Sequence, residues 1–170
     1  MKAYMRMMAG YNHWANTRLL EDCTGLSDEE YHRNLAAYYR SIHGTLDHLL
    51  LADMIWLVRL YGEGEAFDTF DMTLTEDLAS LKAERDILDA RLIAYIDQVT
   101  EGELLQPIRY RTILNPVVIQ QPIGAALVHV FNHQTHHRGQ VHAFLTMLGR
   151  KPRALDLIHF QRESGLGMAA

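Results

Sequence analysis

Cysteine is almost missing from this 170-residue chain, which has one, Cys23, together with only four prolines and eleven glycines. A single thiol cannot close an intramolecular disulfide, so a disulfide-stapled secreted scaffold is excluded. So little proline and glycine excludes collagen-like and low-complexity chains. No apolar run is long enough to span a membrane: the one stretch free of acidic and basic residues, 112–137, is broken by Asn115, Pro116, Pro122, glutamines and histidines. Positive charge is also scarce. Sixteen Lys and Arg against twenty-one Asp and Glu leave a net charge of -5, which makes nucleic acid a poor default partner. The amino terminus, with Lys2, Arg6, Asn12 and His13, lacks the apolar core of a signal peptide. A cytoplasmic protein with no membrane partner is expected.

What is present is the composition of one globular domain, 1–170, with 48% hydrophobic and 22% charged residues. Tyr4, Met8, Tyr11, Ala15 and Leu19 follow the three-to-four spacing of an amphipathic helix, which places a first helix near 4–22 with Gly25 as its stop. Ser27 and Glu30 read as the capping box of a short helix. A second long helix near 41–61 is apolar on more than one face and should be largely buried. Beyond a loop around Gly62 and Gly64, Thr73 to Glu76 reads as another capping box, opening a third helix near 75–99. Its stripe runs Leu78, Leu81, Arg85, Leu88, Leu92, Tyr95 and Val99. β-type residues on either side of Asn115-Pro116 predict a short hairpin between Pro107 and Pro122. A fourth long helix near 122–148 follows, then a short helix over 156–162 and a frayed tail over 164–170. The expected fold class is all-α: an up-and-down four-helix bundle with a small β-hairpin before the last long helix.

Histidine is the unusual component. Five of the ten, His129, His133, His136, His137 and His142, fall between positions 129 and 142. At about 100° per residue, Ala126, Val130, His133, His137, Val141, Phe144 and Leu148 share one narrow face. Two imidazoles one turn apart in an apolar seam need partners for their nitrogens, and an i, i+4 pair can hold one divalent metal. Ordinary hydrogen-bonded core histidines would give the same pattern, and spacing does not decide between the two. A catalytic metal takes a third protein ligand, for which the second long helix offers His48 or His43. Asp53 lies in its leucine stripe and reads first as an ion-pair partner of a neighbouring helix. His129, His136, His142 and Arg138 lie off the seam and read as solvated or supporting residues. Gln134 after His133 removes the glutamate base of a zincin, and only Glu29 to His32 fits a di-iron motif. Cys23 reads as a buried small residue, a poor nucleophile.

Three segments carry a resemblance: Tyr11-Asn12-His13-Trp14-Ala15-Asn16, Ser41-Ile42-His43-Gly44-Thr45-Leu46-Asp47-His48-Leu49-Leu50-Leu51-Ala52-Asp53 with Trp56, and Phe131-Asn132-His133-Gln134-Thr135-His136-His137-Arg138-Gly139-Gln140. The chain resembles the DinB family of damage-inducible bacterial helical-bundle proteins, related to YfiT-type metalloenzymes and unrelated to the DNA polymerase sharing the name. The resemblance implies that His48, His133 and His137 hold a divalent transition metal, zinc or nickel, and that two copies pair through bundle helices as a homodimer. It also implies two departures: Asp47 where asparagine is frequent, and Asn115-Pro116 where the hairpin would carry glycine. The function it implies is a metal-dependent enzyme, a thiol-dependent transferase or hydrolase acting on a small-molecule substrate, with a low-molecular-weight thiol as partner. A non-catalytic metal-binding protein of the stress or DNA-damage response is the competing expectation, and the catalytic residues stay unassigned.

Overall fold

The structure is a computed structural model that describes residues 1–62, 64, 67–70 and 72–168. Its helices are α1 (Lys2–Cys23), α2 (Asp28–His32), α3 (Ile42–Tyr61), α4 (Leu78–Gln98), α5 (Ile123–Met147) and α6 (Leu157–Ser164). Strands β1 (Pro107–Arg111) and β2 (Val118–Pro122) pair antiparallel just before α5, with Pro107 opposite Pro122 and Arg111 opposite Val118. The expected four-helix bundle with its small hairpin is the architecture found. α1 and α3 each pack against both α4 and α5. The connections 24–41 and 99–122 therefore cross the bundle diagonally, and each carries a short element of its own.

Local chemistry explains most boundaries. The Ser27 hydroxyl accepts from the Glu30 amide while the Glu30 carboxylate accepts from the Ser27 amide, which completes the expected capping box. Ser41 caps α3 by accepting from the Gly44 amide, and Gly62 closes it in the left-handed region at φ +67°. The expected box at Thr73 to Glu76 is not formed. Asp77 caps α4 through Ser80 instead, because the Thr75 amide and hydroxyl are already donated to the Asp47 carboxylate at 2.9 and 2.8 Å. The hairpin turn needs no glycine: the Thr112 hydroxyl donates to the Asn115 carbonyl and accepts from the Val117 amide. α6 continues two residues beyond its expected end, to Gly165 at φ +73°. Glu63 and Glu65 of the expected loop, and Ala169 and Ala170 of the expected tail, lie outside the described residues.

Apolar packing forms two main blocks. One joins Met5, Ala9, Trp56, Leu57, Leu88, Leu92, Leu127 and Phe131. The other joins Leu19, Leu20, Ile42, Leu46, Leu81, Val141, Phe144 and Leu145. Burial of such side chains contributes about 1.5–3 kcal/mol each. Between the blocks, at mid-bundle, lies a layer of buried polar side chains: Asn12, Asn16, Asp53, Arg85, Asp89, Gln134 and Arg138. This layer corrects the reading of α1. Tyr4 is exposed, and the inward face holds Asn12 and Asn16 beside Met5, Ala9 and Leu19.

Candidate metal centre

Helical spacing puts His133 and His137 one turn apart on α5, and the packing of α3 against α5 brings His48 to meet them. Nε2 of His133 lies 3.3 Å from Nε2 of His48 and 3.1 Å from Nε2 of His137. His43 does not join: its Nε2 donates to the Thr75 carbonyl at 2.8 Å. Among the described residues the group of possible ligands is these three histidines, with no fourth histidine, cysteine or carboxylate in it.

All three rings are held neutral. Burial first, and then the charge of neighbouring imidazoles, pulls His48 down to about 4 and His133 to about 3. Burial also lowers His137, against an opposing hydrogen bond in which Nδ1–H donates to Gln140 Oε1 at 2.7 Å. That bond fixes the tautomer, so neutral His137 presents a lone pair at Nε2. The Nε2 proton of His133 is then all that can separate the three converging nitrogens. In that state His48 carries its proton on Nδ1, which is buried with no partner. A divalent cation among three lone pairs removes the conflict. With metal–nitrogen bonds of about 2.0–2.1 Å, tetrahedral ligand atoms stand about 3.3 Å apart, so the observed spacing fits.

His48 lacks the hydrogen bond that usually orients a metal-binding imidazole. What lies against it is Tyr39, stacked at 3.9 Å between ring centroids and 15° between planes, with its edge toward His137 at 5.5 Å. Tyr39 arrives from the 33–41 connection, which contains two non-glycine residues in the left-handed region, Ala36 at φ +56° and Arg40 at φ +65°. Gly44 permits this approach, since a Cβ there would collide with the Tyr39 carbonyl oxygen. Asp47 never reaches His48, because its carboxylate accepts from the Leu74 and Thr75 amides and the Thr75 hydroxyl. It pins the segment before α4 to α3. The result is an open cleft of about 850 Å³ whose wall includes His48, His133, Tyr38, Tyr39, Trp56, Phe70 and His129. Burial lowers His129 as well, followed by the nearby Arg59 charge.

The adjoining face of α5 carries a different set of polar groups. Asp53 pairs with Arg85 at 2.8 Å and accepts from Gln134, as expected for an ion-paired core carboxylate. Arg85 also reaches Asp89 at 3.0 Å, and Asp89 accepts from Asn12 and Asn16. Burial would push Asp89 up, but Arg85, His13 and Asn16 together hold it below the usual carboxylate range. Arg138, expected off the seam as a solvated or supporting residue, is 2% exposed and donates to Asn12, Asn16, Gln134 and Thr135. His136 is exposed beside His137, and His142 is half-buried. Cys23 is fully buried, its thiol pushed up to about 12 by burial, so it is no nucleophile. Sequence reasoning missed Tyr39, for which the nearby Gly44 was the available signal.

A hairpin-fed helical bundle whose second and last long helices bring three imidazoles together at a cleft defines a histidine-site bundle class. Within that class the chain belongs to the DinB family, whose model matches residues 1–165. It is 27% identical over 151 residues to Protein DinB of Bacillus subtilis strain 168, covering 82% of this chain and 83% of that one. Its fold is similar to that of a DinB-like protein from Bacillus cereus ATCC 10987, with a TM-score of 0.64 at 15% identity over 83% of this chain and 90% of the other. A DinB-like protein, YjoA, of Bacillus subtilis gives a TM-score of 0.65 at 18% identity over 88% and 97%.

Proposed function

We propose that this protein binds one divalent transition metal, zinc or nickel, through His48, His133 and His137, and uses it as a metal-dependent enzyme, a thiol-dependent transferase or hydrolase. The observation that carries this is the convergence of three neutral Nε2 atoms, without a fourth protein ligand among the described residues, beside an open cleft. Imidazole nitrogens suit zinc and nickel better than magnesium or calcium. An ion held by three uncharged ligands keeps its full charge and lowers the pKa of water or a thiol toward neutrality. Gln140 fixes the tautomer of His137, Tyr39 fixes the plane of His48, and the cleft walls limit how a small molecule approaches. A purely structural metal would be sealed and fully coordinated by protein, and this cleft gives that reading no support.

The reading also includes a cytoplasmic homodimer. No described helix is long and apolar enough to cross a membrane. Of the apolar residues on the further face of α3, Leu51 and Ile55 are buried within the chain and Met54 and Val58 are half-buried. Light scattering showing a monomer in concentrated solution counts against the dimer. The functional test is turnover of a panel of electrophiles and esters by zinc-loaded and nickel-loaded protein, with and without bacterial low-molecular-weight thiols. Metal-dependent turnover abolished in His133→Ala supports the enzyme, whereas full metal loading without turnover moves the reading to a non-catalytic metal-binding protein of the stress response.

A further inference from the structure

Arg40 stands where a surface arginine has no structural use. Its backbone is left-handed at φ +65°, which disfavours any residue but glycine, and the turn is locked by the Leu35 amide donating to the Arg40 carbonyl at 2.6 Å. It immediately precedes Ser41, the cap of α3, so it adds a cation at the positive end of a helix that has no acidic residue in its first turn. Among the described residues its guanidinium meets no carboxylate, carbonyl or aromatic ring. These are three unfavourable features at one position, and that position lines the cleft beside the three histidines.

Arg40 is the only lysine or arginine among the described lining residues, and the only carboxylate there, Asp47, is saturated by three donors. The same cleft wall carries aromatic rings: Tyr38, two residues before Arg40 and 86% exposed, and further along it Phe70 and Trp56. We propose that the cleft binds a small organic anion with an aromatic or apolar body, and that Arg40 reads its acidic group by a charge-assisted hydrogen bond while the body lies on the aromatic wall. This inference rests on reading the cleft as the substrate site of the metal centre, but the charge selection itself needs no metal.

The test compares 2-naphthoate with its neutral counterpart 2-naphthamide, titrated calorimetrically into metal-free full-length protein and again after zinc loading. The metal-free protein is expected to prefer the carboxylate by about tenfold or more, and Arg40→Gln is expected to equalise the two by weakening naphthoate alone. Arg40→Gly is expected to lose the same preference while raising Tm, because the glycine relieves the left-handed backbone. Equal affinity for the two probes in the parent protein, binding of neither, or a preference that survives in Arg40→Gln overturns the proposal. Zinc stoichiometry of the parent is measured on the same samples. A protein that takes no zinc yet keeps the Arg40-dependent preference refutes the metal reading and leaves the anion site standing.

Discussion

Helix α5 separates two polar clusters at the same level of the bundle, and they differ in how their atoms are partnered. On the interior side, Gln134 and Arg138 join Asn12, Asn16, Asp53, Arg85 and Asp89, and each of these side chains meets at least one complementary group. On the cleft side, His133 and His137 join His48 with three like nitrogens converging and no oxygen between them. Two arginines offset two aspartates in the first cluster, whereas the second holds three bases that burial keeps uncharged. A network whose charges offset one another ties four helices together. A set of like donors beside open space is built for something absent from the chain itself.

The comparison is broken most forcefully from the interior. Arg85→Met strands Asp53 and Asp89 as buried carboxylates without their cation and should cost about 3–5 kcal/mol in urea unfolding; a loss below about 1 kcal/mol would show the network to be dispensable. On the cleft side the effect is pH-dependent. His48 and His133 titrate far below an unfolded imidazole, so their stabilising contribution is complete above about pH 6.5 and is lost as pH falls toward 3–4. Metal-free protein should therefore lose up to about 3 kcal/mol for each ring between pH 7 and pH 4, less the screening that their partial exposure allows, beyond the loss shown by His48→Ala/His133→Ala. Equal acid sensitivity of the two proteins would contradict the burial of neutral rings.

A smaller effect sharpens the role of Tyr39. Tyr39→Leu removes the ring stacked on His48 and should weaken zinc binding about tenfold, with Tyr39→Phe restoring it and restoring the cobalt absorption spectrum. Retention of full affinity in Tyr39→Leu would reduce the stack to simple packing. The smallest effect belongs to His13, half exposed at 3.5 Å from Asp89. Its hydrogen bond to Asp89 raises it above the ordinary value, so its contribution is present below about pH 6.5 and is lost as pH rises through the raised value. After allowance for solvent screening this is well under about 1 kcal/mol. His13→Gln should flatten the alkaline limb of the stability curve, read by urea unfolding across about pH 6 to 9.

Much of this contrast was legible in the sequence, though unevenly. The helical period of His133 and His137 among Val130, Val141 and Phe144 is a local property of one helix, and it held. The choice of His48 over His43 depends on how α3 is rotated against α5, which no local pattern encodes; only the family resemblance pointed to it. Asn12 and Asn16 were left out of the α1 stripe, and Arg138 was read as solvated or supporting, because periodicity ranks residues by hydrophobicity, and a polar side chain satisfied across the bundle violates that ranking. The box from Thr73 to Glu76 was misread for a similar reason: the Leu74 and Thr75 amides within it are taken by Asp47 from another helix. Tyr39 lies in an irregular connection, where only the close approach at Gly44 fixes its position on His48.

The central claim is tested most directly by metal analysis of the parent protein and of His48→Ala/His133→Ala/His137→Ala after equilibration with zinc and gel filtration, with helicity followed by circular dichroism. The account predicts one zinc per chain in the parent and none in the triple variant, with the helical spectrum retained because the charged network on the adjoining face of α5 is intact. A folded triple variant that keeps stoichiometric zinc, or a parent that takes up none, would contradict it.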